Sequence, residues 1–459
     1  MTSTSDQTQS SQPTHTTQEL ISLEQTYGAH NYHPLPIVFS RAAGCKVWDP
    51  EGNDYIDCLS AYSAVNQGHC HPKIIQALIH QAQTLTLASR AFYNSNLGLF
   101  SQKISNTFGY ESMLPVNTGV EAVETALKLA RKWAYMKKGV PPGKAIIISA
   151  DGNFHGRTLG VIGMSTDPVA LEGFGPFLES IGSRCPRSSG DDNRLVRYNV
   201  LSDLEAALNA HGPHTAAVLL EPIQGEAGVF VPDDDYLLKV QKLCRDHNVL
   251  LIIDEVQTGL GRTGKLLCQH HHQGLRADIV TLGKALSGGV YPVSAILADR
   301  KIMDVIRPGE HGSTFGGNPL ACAVATAAID VLIDEKMMER AEEMGNLLRS
   351  GLEKLKTIGI DGKECQPGKG WIRIVRGKGL LNAIVINGTE SKKKRGAWEL
   401  CLLMKSKGVL AKPTHGDIVR LAPPLVISQE EIQIVVNVIG DCLKELDLVE
   451  TIPSLEIDH

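Results

Sequence analysis

Asp254 and Lys284 stand 30 residues apart, each closing an apolar, β-branched run: "NVLLII" before the aspartate and "DIVTLG" before the lysine. One lysine among many is ordinarily a solvated surface group. At the carboxyl ends of two strands of one parallel sheet, however, both residues would lie on the edge where ligands bind. A partly desolvated lysine there is a neutral amine able to attack a carbonyl, which a hydrated ammonium cannot do. A third stretch, "PVNTGVEAVETALKLARKW" at 115–133, adds an anion site. Gly119 permits a tight turn, and the helix opening there offers the backbone N–H groups of Gly119 and Val120. An N-T-G helix start by itself is more often plain capping. Together, a phosphate site, a buried carboxylate and a lysine on one sheet edge are the parts needed to hold pyridoxal phosphate. Lys284 would form the Schiff base with the cofactor aldehyde, and Asp254 would keep the pyridinium protonated so that the substrate carbanion drains into the ring. Once displaced by the substrate amine, Lys284 can move a proton between the substrate carbon and the cofactor carbon.

The elements that must position these residues are readable from about residue 115 onward. Val120, Val123, Leu127, Ala130 and Ala134 recur at helical spacing, and "KAIIISA" follows as a buried strand. Then come "TAAVLLEP", a helix with Tyr236, Val240, Leu243 and His247 on one face, "NVLLIIDEV", "DIVTLGK" and "YPVSAILAD". Strand–helix alternation with fully apolar strands predicts an α/β fold whose mainly parallel sheet is covered by helices on both faces. After Asn318 one long helical stretch is expected to lead out of the sheet domain into a smaller α+β unit. The expected division is a flexible tail at 1–18, an N-terminal segment at 19–70 packing with the small domain, a large cofactor-binding domain at 71–333 and a C-terminal small domain at 334–459.

Composition limits what the motifs can mean. The chain has 459 residues, 42% hydrophobic and 21% charged, with a formal net charge of -5. No basic stripe marks a nucleic-acid binder, so a small-molecule partner is expected. No apolar run approaches the roughly 18 residues that cross a bilayer. The first 18 residues contain no Lys or Arg, and the ten cysteines are scattered without framework spacing, which together favour a cytoplasmic protein. Two other motifs carry less. Gly259-Leu-Gly-Arg-Thr-Gly264-Lys265 matches most of a phosphate-loop pattern, but Leu266 stands where Ser or Thr must bind the metal, and no strand of its own precedes it. "GHCHP" at 68–72 and "CQHHHQ" at 268–273 hold ligand-type residues without a second spaced pair, so no metal site is expected.

At this point the chain is identified by resemblance. "NTGVEAVETALKLARKW", "FHGRT", "EPIQGEAGV", "LLIIDEVQTGLGRTGKL", "TLGKALSGG" and "HGSTFGGNPLACAVA" occur in order and resemble the class-III aminotransferases of pyridoxal-phosphate fold type I. "YGAHNYHPLP", "SAYSAVNQGHCHPKI", "SRAFYNS" and "AKPTHGDIVRLAPPLVI" are similar to the ornithine-using subfamily. The resemblance implies that Lys284 carries the cofactor, that Asp254 and Gln257 contact its ring nitrogen and phenolic oxygen, and that Phe154 stacks on its face. Gly119 and Val120 would hold the phosphate, joined by Ser313 and Thr314 of a second subunit, which implies an obligate homodimer or a higher oligomer. Arg157 and Tyr32 would take the α-carboxylate and α-amino end of ornithine, and Arg420 the carboxylate of 2-oxoglutarate. Glu226 would mask Arg420 while ornithine is bound, and Tyr62 would shape the pocket. His155 departs from the ornithine pattern, where tryptophan is common; "FHGRT" is nearer acetylornithine and 4-aminobutyrate aminotransferases, which remain alternatives, as does a non-catalytic cofactor-binding protein. "RCPRSSGDDNRLVR" and "TIGIDGKECQPGKGW" read as surface loop insertions.

Overall fold

Seven apolar runs pair into the central sheet of the protein, whose computed structural model describes residues 15–184, 195–366 and 368–453. In chain order they are β1 (Ser112–Val116), β2 (Ile146–Ile148), β3 (Ile181–Gly182), β4 (Thr215–Leu220), β5 (Leu250–Asp254), β6 (Ile279–Leu282) and β7 (Ser294–Ala298). Their spatial order is β1-β7-β6-β5-β4-β2-β3. The pairs β2·β3, β2·β4, β4·β5 and β5·β6 are parallel, and β7 alone runs antiparallel to both its neighbours. β4, β5, β6 and β7 are buried along their whole length, as strands covered on both faces must be.

Helices supply the two covers. On one face α1 (Gly119–Trp133) presses Val123, Leu127 and Ala130 against Ile147, Leu219 and Ile252. On the other, Leu237 and Val240 of α2 (Tyr236–Asp246) and Ile329 of α3 (Pro319–Asp334) join a cluster with Val218, Leu251 and Val280. Each fully buried Ile, Leu or Val of this kind contributes about 1.5–3 kcal/mol. The face of α2 is turned from the expected one: Leu237, Gln241 and Cys244 are buried with Tyr236 and Val240, whereas Leu243 and His247 lie toward its margin.

The long helical stretch after Asn318 is two helices. α3 is capped by Asn318, whose side chain accepts from Ala321 N, and α4 (Met337–Lys354) starts afresh after Lys336, held at φ 51°. One residue in the left-handed region is enough to break the helical ladder and turn the chain. Beyond α4, β8 (Ile372–Lys378), β9 (Leu381–Ile386), β10 (Lys412–Thr414) and β11 (Ile418–Leu421) form an antiparallel sheet in the order β8-β9-β11-β10. The N-terminal strands at 41–43, 46–48 and 54–57 form a sheet in that order whose last strand pairs with Val409–Leu410 of this region, and the apolar cluster runs on from Leu282 and Ile329 through Leu348 to Ile384 without a break.

The N-terminal helix begins at Thr17, capped by Thr16 and Glu19, slightly ahead of the expected start of order; residues 1–14 of the expected tail lie outside the described residues. So do residues 185–194 of the first insertion. Described residues of the second insertion are tied by the bridges Ile358↔Glu364 and Gly359↔Gly370. Among the described residues no helix is long and apolar enough to cross a membrane.

Candidate active site

Five strands of the sheet deliver residues to one cavity of about 190 Å³ at their carboxyl ends. Gly119 and Val120 follow β1; Phe154, His155 and Gly156 follow β2; Glu221 follows β4; Asp254, Val256 and Gln257 end or follow β5; Lys284 follows β6. Lys284 is not the last residue of its strand. β6 stops at Leu282, and Gly283 leads to Lys284 at φ 46°, a strained conformation for a side-chain-bearing residue that turns it out of the strand. Burial pulls the Lys284 ammonium below its ordinary pKa and Arg420 adds to this, while Glu226 and Asp254 oppose it.

Asp254 is fixed from three sides. Its Oδ1 accepts from Thr281 Oγ1 at 2.8 Å and from Val256 N at 3.1 Å, and its Oδ2 accepts from His155 Nδ1 at 2.8 Å. The His155 ring is fully enclosed, and its Nε2 has no hydrogen-bond partner among the described residues. Glu221, also buried, accepts from Phe154 N at 3.1 Å on one oxygen and from Gly225 N at 3.2 Å on the other. It thereby ties the loop carrying Phe154 to the loop carrying Glu226. Burial pushes its carboxyl up to about 7; the His155 charge opposes this, Asp254 adds to it, and the two N–H bonds hold it back.

α1 starts with Gly119 directly after Thr118, whose side chain accepts from Glu121 N while Glu121 reaches back to the Asn117 and Thr118 N–H groups. Gly119 and Val120 are the first two helical residues, so their N–H groups have no acceptor within the helix and point at the cavity end. Glycine is required at both approaches to this cradle: a Cβ on Gly119 would meet Val256 at 2.8 Å, and one on Gly156 would meet Val120 at 2.3 Å.

Arg420, on β11, is 1% exposed. Its Nη1 donates to Glu226 Oε1 and to Gln257 Oε1, each at 3.0 Å, and its Nη2 donates to Gly225 O at 2.7 Å. Gln257 Nε2 closes the triangle on Glu226 Oε1 at 3.1 Å. Burial raises the Glu226 carboxyl, but the charge and hydrogen bond of Arg420, with Lys284 behind them, outweigh it and hold its pKa below the ordinary value. The Tyr62 ring lies 5.4 Å from the Arg420 guanidinium. Tyr62 belongs to a run of four side-chain-bearing residues with positive φ, Ser60 to Ser63 at 53°, 47°, 58° and 71°. A left-handed turn of this type costs roughly 1–2 kcal/mol per residue.

Other expected residues stand apart. Arg157 is exposed, its guanidinium 5.7 Å from the Phe154 ring. Tyr32, 75% exposed, shares a second, mostly apolar cavity with Tyr62, Leu59 and Lys412. Ser313 and Thr314 line a third cavity with Leu87, Ser89 and Arg90, and Ser313 Oγ accepts from Asn117 Nδ2 at 2.9 Å. Glu221 and Thr281 have no role in the sequence reading, which names His155 only as a departure bearing on the substrate and not as a partner of Asp254. The sequence marks Thr281 as a hydroxyl in an otherwise apolar strand. Three histidines of the motifs set aside there are held by polar partners. His69 Nε2 bonds Asp57 at 2.8 Å, His71 meets Glu335 and His271 meets Thr263.

The class-III aminotransferase family model matches residues 27–443 of the chain. The chain belongs to this family. The ornithine aminotransferase of Schizosaccharomyces pombe is 55% identical over 96% of this chain and 97% of its own. Among solved structures, the ornithine aminotransferase of Toxoplasma gondii ME49 has a TM-score of 0.86 at 42% identity, covering 94% of this chain and 96% of that one. The acetylornithine aminotransferase of Elizabethkingia anophelis has a TM-score of 0.82 at 53% identity, covering 94% and 100%. This class-III aminotransferase is therefore an enzyme of pyridoxal-phosphate fold type I that uses pyridoxal phosphate and acts on an amino acid and a 2-oxo acid. The cavity fits that cofactor: unpaired N–H groups and a glycine-lined cradle suit a phosphate, a buried carboxylate suits a ring nitrogen, and a half-buried lysine facing the cavity suits an aldehyde.

Proposed function

We propose that the enzyme transfers the δ-amino group of L-ornithine to 2-oxoglutarate, giving glutamate and glutamate 5-semialdehyde, which cyclises to pyrroline-5-carboxylate. The observation that carries this reading is the Glu226–Arg420–Gln257 triangle beside Lys284. Ornithine presents its δ-amine and glutamate its α-amine, so the two α-carboxylates sit at different distances from the reacting carbon. An arginine that is masked for one substrate and free for the other serves both.

When bound, pyridoxal phosphate supplies an aldehyde for the amino group and a ring that takes up electrons from the substrate carbon. In our reading Gly119 and Val120 bind the phosphate through their N–H groups, Phe154 packs on the ring, and Gln257 faces the phenolic oxygen. Asp254, steadied by Thr281 and His155, holds a proton at the ring nitrogen. Lys284 moves the proton from the substrate carbon, a task that suits an amine whose charge burial disfavours. Arg157 and Tyr32 take the far carboxylate and α-amine of ornithine. Arg420 takes the near carboxylate of 2-oxoglutarate once Glu226 swings away.

Ser313 and Thr314 fall outside the Lys284 cavity of their own chain, and we assign them to the phosphate of a second subunit. Exposed Leu87, which lines the same cavity, and exposed Phe315, next in sequence to Thr314, support a homodimer contact, since exposed apolar groups beside such a site mark association surfaces. The described cysteines are all free, which supports a reducing compartment, the cytoplasm in our reading.

The test is to mix the purified protein with ornithine and 2-oxoglutarate and measure pyrroline-5-carboxylate. The similarity to an acetylornithine aminotransferase, together with His155 in "FHGRT", favours a second reading. Turnover of acetylornithine in place of ornithine would establish it.

A further inference from the structure

Two motifs remain that the proposed reaction does not use, the phosphate-loop look-alike around Arg262 and the "GHCHP" histidines. Both reach the Ser60–Ser63 turn, Arg262 directly at Ser60 and His69 through Asp57. Arg262 is wholly buried, yet among the described residues its guanidinium bonds no carboxylate. It donates instead to Asn66 Oδ1 from Nε at 3.1 Å and Nη2 at 2.6 Å, to Leu380 O at 2.9 Å, to Pro423 O at 2.6 Å and to Ser60 Oγ at 3.4 Å. Ser60 and Asn66 bracket the left-handed turn, and Pro423 lies three residues past Arg420.

The turn and the segment after Arg420 are joined directly as well. Ser60 Oγ donates to Ala422 O at 2.6 Å, Ala422 N donates to Cys58 O at 2.7 Å, and Leu425 N donates to Asn66 O at 2.8 Å. Asp57 holds the entry to the turn, its Oδ1 accepting from Leu59 N at 2.8 Å and Ser60 N at 3.1 Å while His69 occupies Oδ2. A run of four strained residues persists only where its surroundings over-determine it, and strain of this kind gathers at ligand-contacting sites.

We infer that Arg262 is a positioning residue for substrate discrimination: by clamping the Ser60–Ser63 turn to the segment after Arg420, it fixes the Tyr62 ring over the Arg420 guanidinium. The inference rests on the proposed reaction for its substrate. It goes beyond that reaction in assigning part of the selectivity to a residue that touches no substrate.

The experiment compares holoenzymes of the wild type, Tyr62→Ala, Arg262→Lys and their double variant. Lysine keeps the charge but loses the planar fork that spans Asn66, Leu380 and Pro423. The ratio of kcat/KM for ornithine over 4-aminobutyrate should fall by about 10-fold in Arg262→Lys, the scale of one or two buried hydrogen bonds. It should fall in Tyr62→Ala too, and the double variant should show no further fall, while cofactor absorbance at the Lys284 site is kept. A lowered thermal midpoint with an unchanged ratio, or losses that simply add, would overturn the inference. Should Arg262→Lys fail to fold, Ser60→Ala removes the hydroxyl that donates to Ala422 O and accepts from Arg262 Nη2; it should move the ratio the same way, and an unchanged ratio there overturns the inference equally. If the wild type does not use ornithine, the substrate reading fails by itself. A crystal structure of whichever of the two variants folds then decides the positioning role, with a displaced Tyr62 ring expected and an unmoved ring refuting it.

Discussion

Glu226 Oε1 receives two hydrogen bonds at once, from Arg420 Nη1 at 3.0 Å and from Gln257 Nε2 at 3.1 Å. The arginine is almost wholly buried and the glutamate side chain is 28% exposed, so the glutamate is the partner free to leave. Contact between unit charges is worth about 4 kcal/mol at an effective dielectric near 20, before desolvation is counted. A dicarboxylate can therefore open the pair. Glu226→Ala should slow the half-reaction with ornithine and speed that with glutamate, with cofactor binding kept. Single-turnover absorbance with each amino acid reads the two halves, and equal losses in both would reduce Glu226 to a structural role.

Lys284→Ala should retain cofactor through the phosphate and ring contacts and lose transamination by several orders of magnitude, because the proton carrier is gone. In the wild type, borohydride reduction should fix the cofactor to Lys284. A peptide map placing it on another lysine would contradict the assignment.

His155 makes one of the hydrogen bonds that hold Asp254. His155→Leu should weaken cofactor binding by about 10-fold, in line with 1–3 kcal/mol for a bond to a buried charged group. His155→Asn, whose amide can donate from the position of Nδ1, should recover part of it. Equilibrium titration of the cofactor-free proteins measures both, and indifference to the leucine would remove the histidine from the site.

Glu221 sets a pH dependence. Its pKa is raised on folding from about 4.5 to about 7, so the folded state holds the proton more tightly than the unfolded chain. The stability linked to that proton is fully present below about pH 4.5 and is lost as pH rises through about 7, a change on the order of 3 kcal/mol. Glu255, raised to the same value, acts in the same direction. The thermal midpoint of the cofactor-free protein should therefore fall between pH 5 and 8, and Glu221→Gln should flatten about half of that fall. An unchanged slope in the variant would show that Glu221 is ionised throughout this range.

Thr314→Ala should weaken cofactor binding by about 1–3 kcal/mol if the hydroxyl serves a charged phosphate in a second subunit. Dilution should release cofactor in step with dissociation. Sedimentation that found a fully loaded, active monomer would exclude the shared site.

The parts of the site that the sequence announces are those marked by local chemistry. Asp254 and Lys284 end apolar runs, and Gly119 opens a helix after Thr118, so strand periodicity and capping rules reach them. The sheet order, with β7 reversed, carries no such mark, because pairing is decided by contacts among distant segments. His155 and Glu221 were out of reach for the same reason: a histidine after Phe154 and a glutamate after "AVLL" become partners of the cofactor site only when β2, β4 and β5 lie side by side. The break at Lys336 was hidden by a helical pattern that continues across it.

The five strand ends that meet at the cavity span residues 119 to 284, and Arg420 comes from another sheet altogether. No contiguous stretch of the chain contains a usable site. Pairings so distant in sequence form late in folding, after the loops between them have closed. The yellow of bound cofactor thus serves as a clock for maturation: it can develop only when the last long-range contacts are in place, and a proteolytic fragment of either half should stay colourless however much of its helix content survives.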